Sequence, residues 1–431
     1  MLADRLNQFL QRRGIHYGWV VAGLSFLTML TTAGAMGLPG ALLLPLHDEF
    51  GWSVGEISSA LALRILLYGL MGPFAAVLMN RFGLRNVILA ATGLISAGLL
   101  LAEYMTAFWQ LMILWGVVVG VGTGLTALVL GATVANRWFV KSRGLVLGLL
   151  TASSATGQLA FLPLATLLVK HVGWRAALLP TVGACLTAAL LAVLFMRDRP
   201  QDLGLAAYGE DPAQAAAAPV APKAGGALAV LRDASRVPAF WALFGTFFIC
   251  GLSTNGLIQS HFIAFCADFG MPETEAASVL AMMGVFDFFG TILSGWLSDR
   301  LDNRWLLFWY YGLRGLSLLW LPHSTFTFYG LSIFGLFYGL DWIATVPPTV
   351  RLASRIFGRE MGALVFGWIF TGHQLGAAVA TFAAGEARTG LATYLPAFYA
   401  AGAMCLVASG LALAARPRPP ERQHVLRPAG A

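Results

Sequence analysis

Five ionisable side chains lie deep inside long apolar stretches of the chain: Arg64, Asp287, Arg314, Asp341 and His373. A charge at the centre of a hydrocarbon layer costs several kcal/mol, so each is a candidate for chemistry rather than decoration. Arg64 is ten residues into its stretch. At about 1.5 Å per residue that is about 15 Å, half of a roughly 30 Å core. Its guanidinium can hold a carboxylate through two parallel hydrogen bonds, or it can pair with an acidic side chain on a neighbouring helix. Asp287 can carry a proton, or it can sit in a permanent salt bridge with Arg314. His373 titrates near neutrality and suits a proton relay, a donor to substrate, or a helix-to-helix hydrogen bond. Asn255, Gln259 and Gln158 offer further polar contacts, as do Thr254, His261 and Gln374, although amides inside membranes also bridge helices.

The elements that carry these residues follow from composition. The 431 residues are 58% hydrophobic and 11% charged, with a mean hydropathy of +0.74. Such a chain does not suit a soluble fold. Twelve apolar segments can be marked, at 17–46, 54–79, 87–104, 108–134, 145–169, 176–196, 239–266, 276–297, 305–321, 326–349, 361–384 and 394–415. When the ends are assigned alternately to two sides, 22 of the 27 Lys and Arg fall on one side. Only Lys170, Arg175 and Arg388 fall on the other, and Arg64 and Arg314 lie within spans. The positive-inside rule makes the first side cytoplasmic, with both termini inside. The fold class expected is an all-α membrane protein of twelve transmembrane helices.

The net charge of +7 is explained by these basic turns, not by nucleic-acid binding. Cys185, Cys250, Cys266 and Cys405 show neither metal-ligand nor disulfide spacing and are expected to pack. Gly120-Val-Gly122-Thr-Gly124 lies within a span with no strand before it, which excludes a nucleotide loop. Together with Gly116 it forms a small-residue stripe for close helix approach. No cofactor and no enzyme chemistry are indicated, since no nucleophile–base or metal-ligand pattern occurs.

The chain is internally repeated. Asn80-Arg81 and Arg85 recur as Asp299-Arg300 and Arg304, an offset of 219 residues from Asn80 to Asp299. Arg137-Trp-Phe139 recurs as Arg355-Ile-Phe357, an offset of 218. An offset covering an even number of helices gives two halves of equal orientation. Expected domains are residues 1–196, a six-helix bundle; 197–238, a flexible linker rich in Ala and Pro; and 239–431, a second six-helix bundle with a tail. Pro347-Pro348 is an expected hinge in the tenth span.

Gly295-Trp-Leu-Ser-Asp299-Arg300 with Arg304 resembles the signature loop of the major facilitator superfamily, and Asn80-Arg81-Phe-Gly83-Leu-Arg85 resembles a degraded copy. Arg137-Trp-Phe-Val-Lys141-Ser-Arg143, Gly173-Trp174-Arg175 and Tyr17-Gly-Trp19 are similar to the monocarboxylate transporter family and its bacterial relatives. The resemblance implies two rocking bundles, alternating access and no ATP. It also implies a pathway faced or flanked by Arg64, Asp287, Asp341 and His373, with Arg314 on an outer span as the partner of Asp287 or Asp341. That family's first-span Lys after a Pro is here Gly40 after Pro39; its eighth-span Asp is Asp287, but the Arg four residues on is Thr291. Anion holding then moves to Arg64.

The expectation is a secondary transporter of a small organic anion, a monocarboxylate coupled to protons, acting as a monomer in a bacterial inner membrane. Its partners are the solute, protons and lipid, and not nucleic acid. Asp299 is expected to pair with Arg351 or Arg355, beside Arg300, as a cytoplasmic latch. Asn80 cannot make the ionic version. A proton-coupled exporter of amphipathic compounds and a non-transporting membrane sensor are the alternatives.

Overall fold

The computed structural model describes residues 2–210 and 227–416; the middle of the expected linker and the end of the tail, with Lys223, Arg418, Arg422 and Arg427, lie outside them. Helices occupy all twelve expected spans, and nine of them, among the described residues, are long and apolar enough to cross a membrane. The other three are the fifth (Arg143–Ala160 with Leu162–His171), the ninth (Asn303–Trp320) and the eleventh (Arg359–Leu391). The ninth carries Arg304 and Arg314 among its aromatics, which lowers its hydropathy.

Two compact units emerge: Met1–Trp52 with Leu70–Val220, and Ser53–Gly69 with Ala221–Ala431. The division differs from the expected halves at the second span, Val54–Phe82, whose first part belongs to the second unit. There Gly55 N donates to Thr389 Oγ1 of the eleventh span at 2.9 Å, and Gly69 backs onto Gln374. Each unit repeats the other's pairings. The first span, Gly18–Phe50, packs on the fifth, as the seventh, Pro238–Asp268, packs on the eleventh. The third, Leu84–Ala102, packs on the sixth, Trp174–Phe195, as the ninth packs on the twelfth, Leu395–Ala412.

The repeat extends to the helix breaks. The fourth span, Phe108–Trp138, restarts at Leu128, and the tenth restarts at Val346, an offset of 218 residues. Pro347 and Pro348 sit in the first turn of that restarted helix, where a missing N–H costs no bond. The interruption of the helix therefore comes earlier than Pro347-Pro348, at Trp342–Thr345. A π-helical turn, Leu252–Gln259, interrupts the seventh span. Gly251 and Gly256 do not bend it freely; they let it press on backbone of the eleventh at His373 and Ala377. Likewise Gly339 lies 2.6 Å, by the position its Cβ would take, from Met283 O, which clamps the tenth span (Phe328–Asp341 and Val346–Phe357) to the eighth (Glu273–Ser298).

The first part of the expected flexible linker is instead fastened to the first unit. Tyr208 N donates to Trp138 O at 2.8 Å, and Tyr208 O accepts from Val140 N and Lys141 N at 3.0 and 2.9 Å. The Tyr208 ring packs against Trp19, Phe139 and His16. His16 Nε2 donates to Ala206 O at 3.0 Å while its Nδ1 accepts from Gly18 N at 3.1 Å, which requires the neutral ring. Burial holds this imidazole below its usual pKa of 6.5, opposed in part by the Ala206 carbonyl. A lowered histidine pKa stabilises at pH above 6.5, and that stabilisation is lost as pH falls below it. The protection of the Tyr208 amide against hydrogen exchange, taken relative to the intrinsic rate at each pH, is therefore expected to be high at neutral pH and to fall in acid. Equal protection across that range would contradict the role of His16.

Candidate functional site

The break in the tenth span gathers polar contacts from neighbouring spans of the second unit. Where a helix stops inside apolar surroundings, its last C=O groups and the next N–H groups lose their partners and must find others. Arg314, on the ninth span, takes the carbonyls: Nη2 donates to Asp341 O at 2.5 Å and to Trp342 O at 3.2 Å. Its Nε forms the ion pair with Asp341 Oδ2 at 2.6 Å. Its Nη1 donates to Cys250 Sγ of the seventh span at 3.0 Å. Asp287, on the eighth span, takes the freed N–H: its Oδ1 accepts from Ile343 N at 2.9 Å and from Thr291 Oγ1 at 3.1 Å. Ser294, one helical turn beyond Thr291, donates to Ala344 O at 2.5 Å.

Three neighbouring spans thus hold one break, and they do so with ionisable groups. Arg314 is 1% exposed and Asp287 3%. The guanidinium also lies 5.8 Å from the ring centres of Tyr311 and Tyr338, within cation–π range. Of the two partners open to Arg314, the geometry selects Asp341. Among the described residues Asp287 has no ion pair, only neutral donors. The two carboxylates of the break are thus held differently, Asp341 by a cation and Asp287 by neutral donors.

Four of the remaining candidates, Arg64, Asn255, Gln259 and His373, are buried polar groups of the same unit. Arg64 is 3% exposed on the second span, Asn255 7% and Gln259 4% on the π-helical turn of the seventh. His373, on the eleventh, lies between the rings of Phe247 and Phe370, at 5.1 and 5.7 Å. Gln259 Nε2 and His373 Nδ1 find no hydrogen-bond partner among the described residues. His261 is locked structurally, Nε2 to Thr381 O at 2.9 Å. Gln158 belongs to the fifth span, and its side chain lies outside the described residues. No group of His, Cys, Asp and Glu that could hold a metal occurs among the described residues.

At the loop after the eighth span, Arg351 pairs with Asp299. The other expected members do not join. Arg300 stacks on Trp296 at 4.1 Å and donates to its carbonyl, and among the described residues neither Arg300 nor Arg355 has an ion pair. Asp302, unmarked in the sequence, binds Arg304 at 2.6 Å; that bond holds its carboxyl below the usual range, and Arg355 adds a weaker pull. In the first unit Arg137 reaches Asn80 through a hydrogen bond without a counter-charge, at 2.5 Å. Sequence reasoning also missed Cys250, expected to be packing only. A thiol carries no sequence signal that it will face an arginine 64 residues away.

A model of the Major Facilitator Superfamily matches residues 24–381 and 263–431. The chain belongs to the major facilitator superfamily. It is a multi-pass membrane transporter of that superfamily's twelve-helix fold, not an enzyme. It is 25% identical over 353 residues to the uncharacterised MFS-type transporter YcxA of Bacillus subtilis, covering 80% of this chain and 81% of that one. It is 27% identical over 407 residues to monocarboxylate transporter 4 of Mus musculus, covering 91% and 82%. Among solved structures it resembles a D-xylose-proton symporter, with TM-score 0.71 at 14% identity over 92% of this chain and 97% of that chain. A bacterial homolog of the human lysosomal transporter Spinster gives TM-score 0.70 at 17% identity over 93% and 97%.

Proposed function

We propose that this superfamily member carries a small monocarboxylate together with a proton, by alternating access, as a monomer in a bacterial inner membrane with both termini cytoplasmic. The observation that carries the reading is Arg64: a guanidinium 3% exposed on the second span, in a chain 27% identical to monocarboxylate transporter 4 that lacks that family's first-span lysine. Arg64 anchors the carboxylate, and Asn255, Gln259 and His373, buried in the same unit, supply further polar groups. Asp287 loads the proton, with His373 as the second proton-sensing group, and Arg314 with Asp341 fixes the broken tenth span. The Asp299–Arg351 pair, beside Arg300 and Arg355, latches the cytoplasmic side.

Binding of a labelled monocarboxylate to the purified protein tests this. Losing a charge-assisted pair of hydrogen bonds is worth about 3 kcal/mol, so Arg64→Ala is expected to weaken binding about 100-fold. Arg64→Lys keeps the charge but not the fork and is expected to fall between. Unchanged affinity in Arg64→Ala would remove the anchor.

A specific feature favours the exporter of amphipathic compounds as the second reading. A cavity of about 380 Å³ lies among the eighth, ninth and tenth spans, lined by Tyr310, Trp320, Phe334 and Phe337 and also by Arg314 and Asp341. Aromatic walls with one polar pair suit a drug-sized amphiphile.

A further inference from the structure

The helix Leu2–Gln11 has three different faces. Ala3 and Asn7 are buried, and Leu6 and Leu10 pack on the core of the first unit. Asp4, Gln8 and Gln11 are exposed, with Asp4 turned to Arg197 at 3.8 Å. The third face is apolar and cationic at once. Leu2 and Phe9 are 51% and 50% exposed, Arg5 is exposed between them at helical spacing, and Arg13 follows with its guanidinium 4.4 Å from the Phe9 ring centre. Arg12 is exposed beside it.

The position of this face is fixed by the chain. Only Arg12–Tyr17 separate the helix from the first span, which begins at Gly18. Tyr17 is buried and its hydroxyl donates to Phe195 O, at the end of the sixth span, at 2.7 Å. The helix therefore lies where two transmembrane helices leave the bilayer, at the level of lipid headgroups.

We propose that the face made by Leu2, Arg5, Phe9 and Arg13, extended by Arg12, is a docking surface for the anionic phospholipids of the adjoining leaflet. Leu2 and Phe9 enter the boundary of the acyl chains, and the arginines bind lipid phosphates, for which the planar guanidinium fork is suited. Charge complementarity selects lipid as the occupant: three arginines beside two large apolar side chains match an anionic headgroup over hydrocarbon. The only carboxylate of the helix points elsewhere, to Arg197. Through Ala3, Leu6 and Leu10, lipid bound here steadies the ends of the first and sixth spans. The inference is independent of the transported solute.

The test uses the full chain in vesicles of phosphatidylcholine with and without phosphatidylglycerol. All four native cysteines are buried, so a nitroxide can be placed selectively at Phe9→Cys, Leu2→Cys or, as the water-side control, Gln8→Cys. With phosphatidylglycerol, labels at positions 2 and 9 are expected to collide several-fold more with oxygen than with a water-soluble nickel chelate, and the label at 8 the reverse. Omitting phosphatidylglycerol, or replacing Arg5, Arg12 and Arg13 by Gln, is expected to move labels 2 and 9 towards water. Nickel access at 9 equal to that at 8, indifference to lipid charge, or line broadening between labels of two copies would each overturn the proposal, the last in favour of a second copy as the occupant.

Discussion

Replacing Arg314 by Gln is expected to cost about 3–5 kcal/mol of stability, because it leaves Asp341 buried without its counter-charge. The same substitution also strips the carbonyls of Asp341 and Trp342 of their donor at the break of the tenth span. Asp341→Asn alone is expected to be milder, since Arg314 keeps its bonds to those carbonyls and to Cys250. The double substitution Arg314→Gln with Asp341→Asn is expected to recover part of the loss, because no charge is then stranded. A coupling of about 1–3 kcal/mol between the two positions follows for residues in direct contact. Thermal unfolding of the four proteins in detergent measures it. Additive losses would show that the pair is not what holds the break.

The second large effect is on coupling. In Asp287→Asn, the side chain keeps an Oδ1 that accepts from Ile343 N and Thr291 Oγ1, so the break stays closed while the proton site is lost. Exchange of solute for solute is expected to continue. Concentrative uptake driven by a proton gradient, up to about tenfold per pH unit for one proton, is expected to vanish. Loss of both exchange and gradient-driven uptake would assign Asp287 to structure alone.

Much of this was legible in the sequence. Charges at mid-span, the 218-residue offset and the sided arginines marked the spans, the repeat and the buried ionic residues, because each is a local pattern that lipid imposes. The choice of Asp341 over Asp287 as the partner of Arg314 was not legible. It depends on which carboxylate lies beside the last carbonyls of a broken helix, and the break precedes Pro347 by several residues. The Tyr208 clasp was hidden for another reason: one aromatic anchor stands in front of an Ala- and Pro-rich stretch whose average composition reads as linker. The grouping of Ser53–Gly69 with the second unit rests on glycine approaches to the eleventh span, at Gly55 and Gly69, which no periodicity announces.

The most direct test of the central claim is uptake of labelled small monocarboxylates by the purified protein in liposomes, with and without an inward proton gradient. Uptake that requires the gradient and is lost in Arg64→Ala is the predicted result. No uptake of any monocarboxylate in either direction, by protein shown to be folded and inserted, would contradict the account and bring the exporter reading forward.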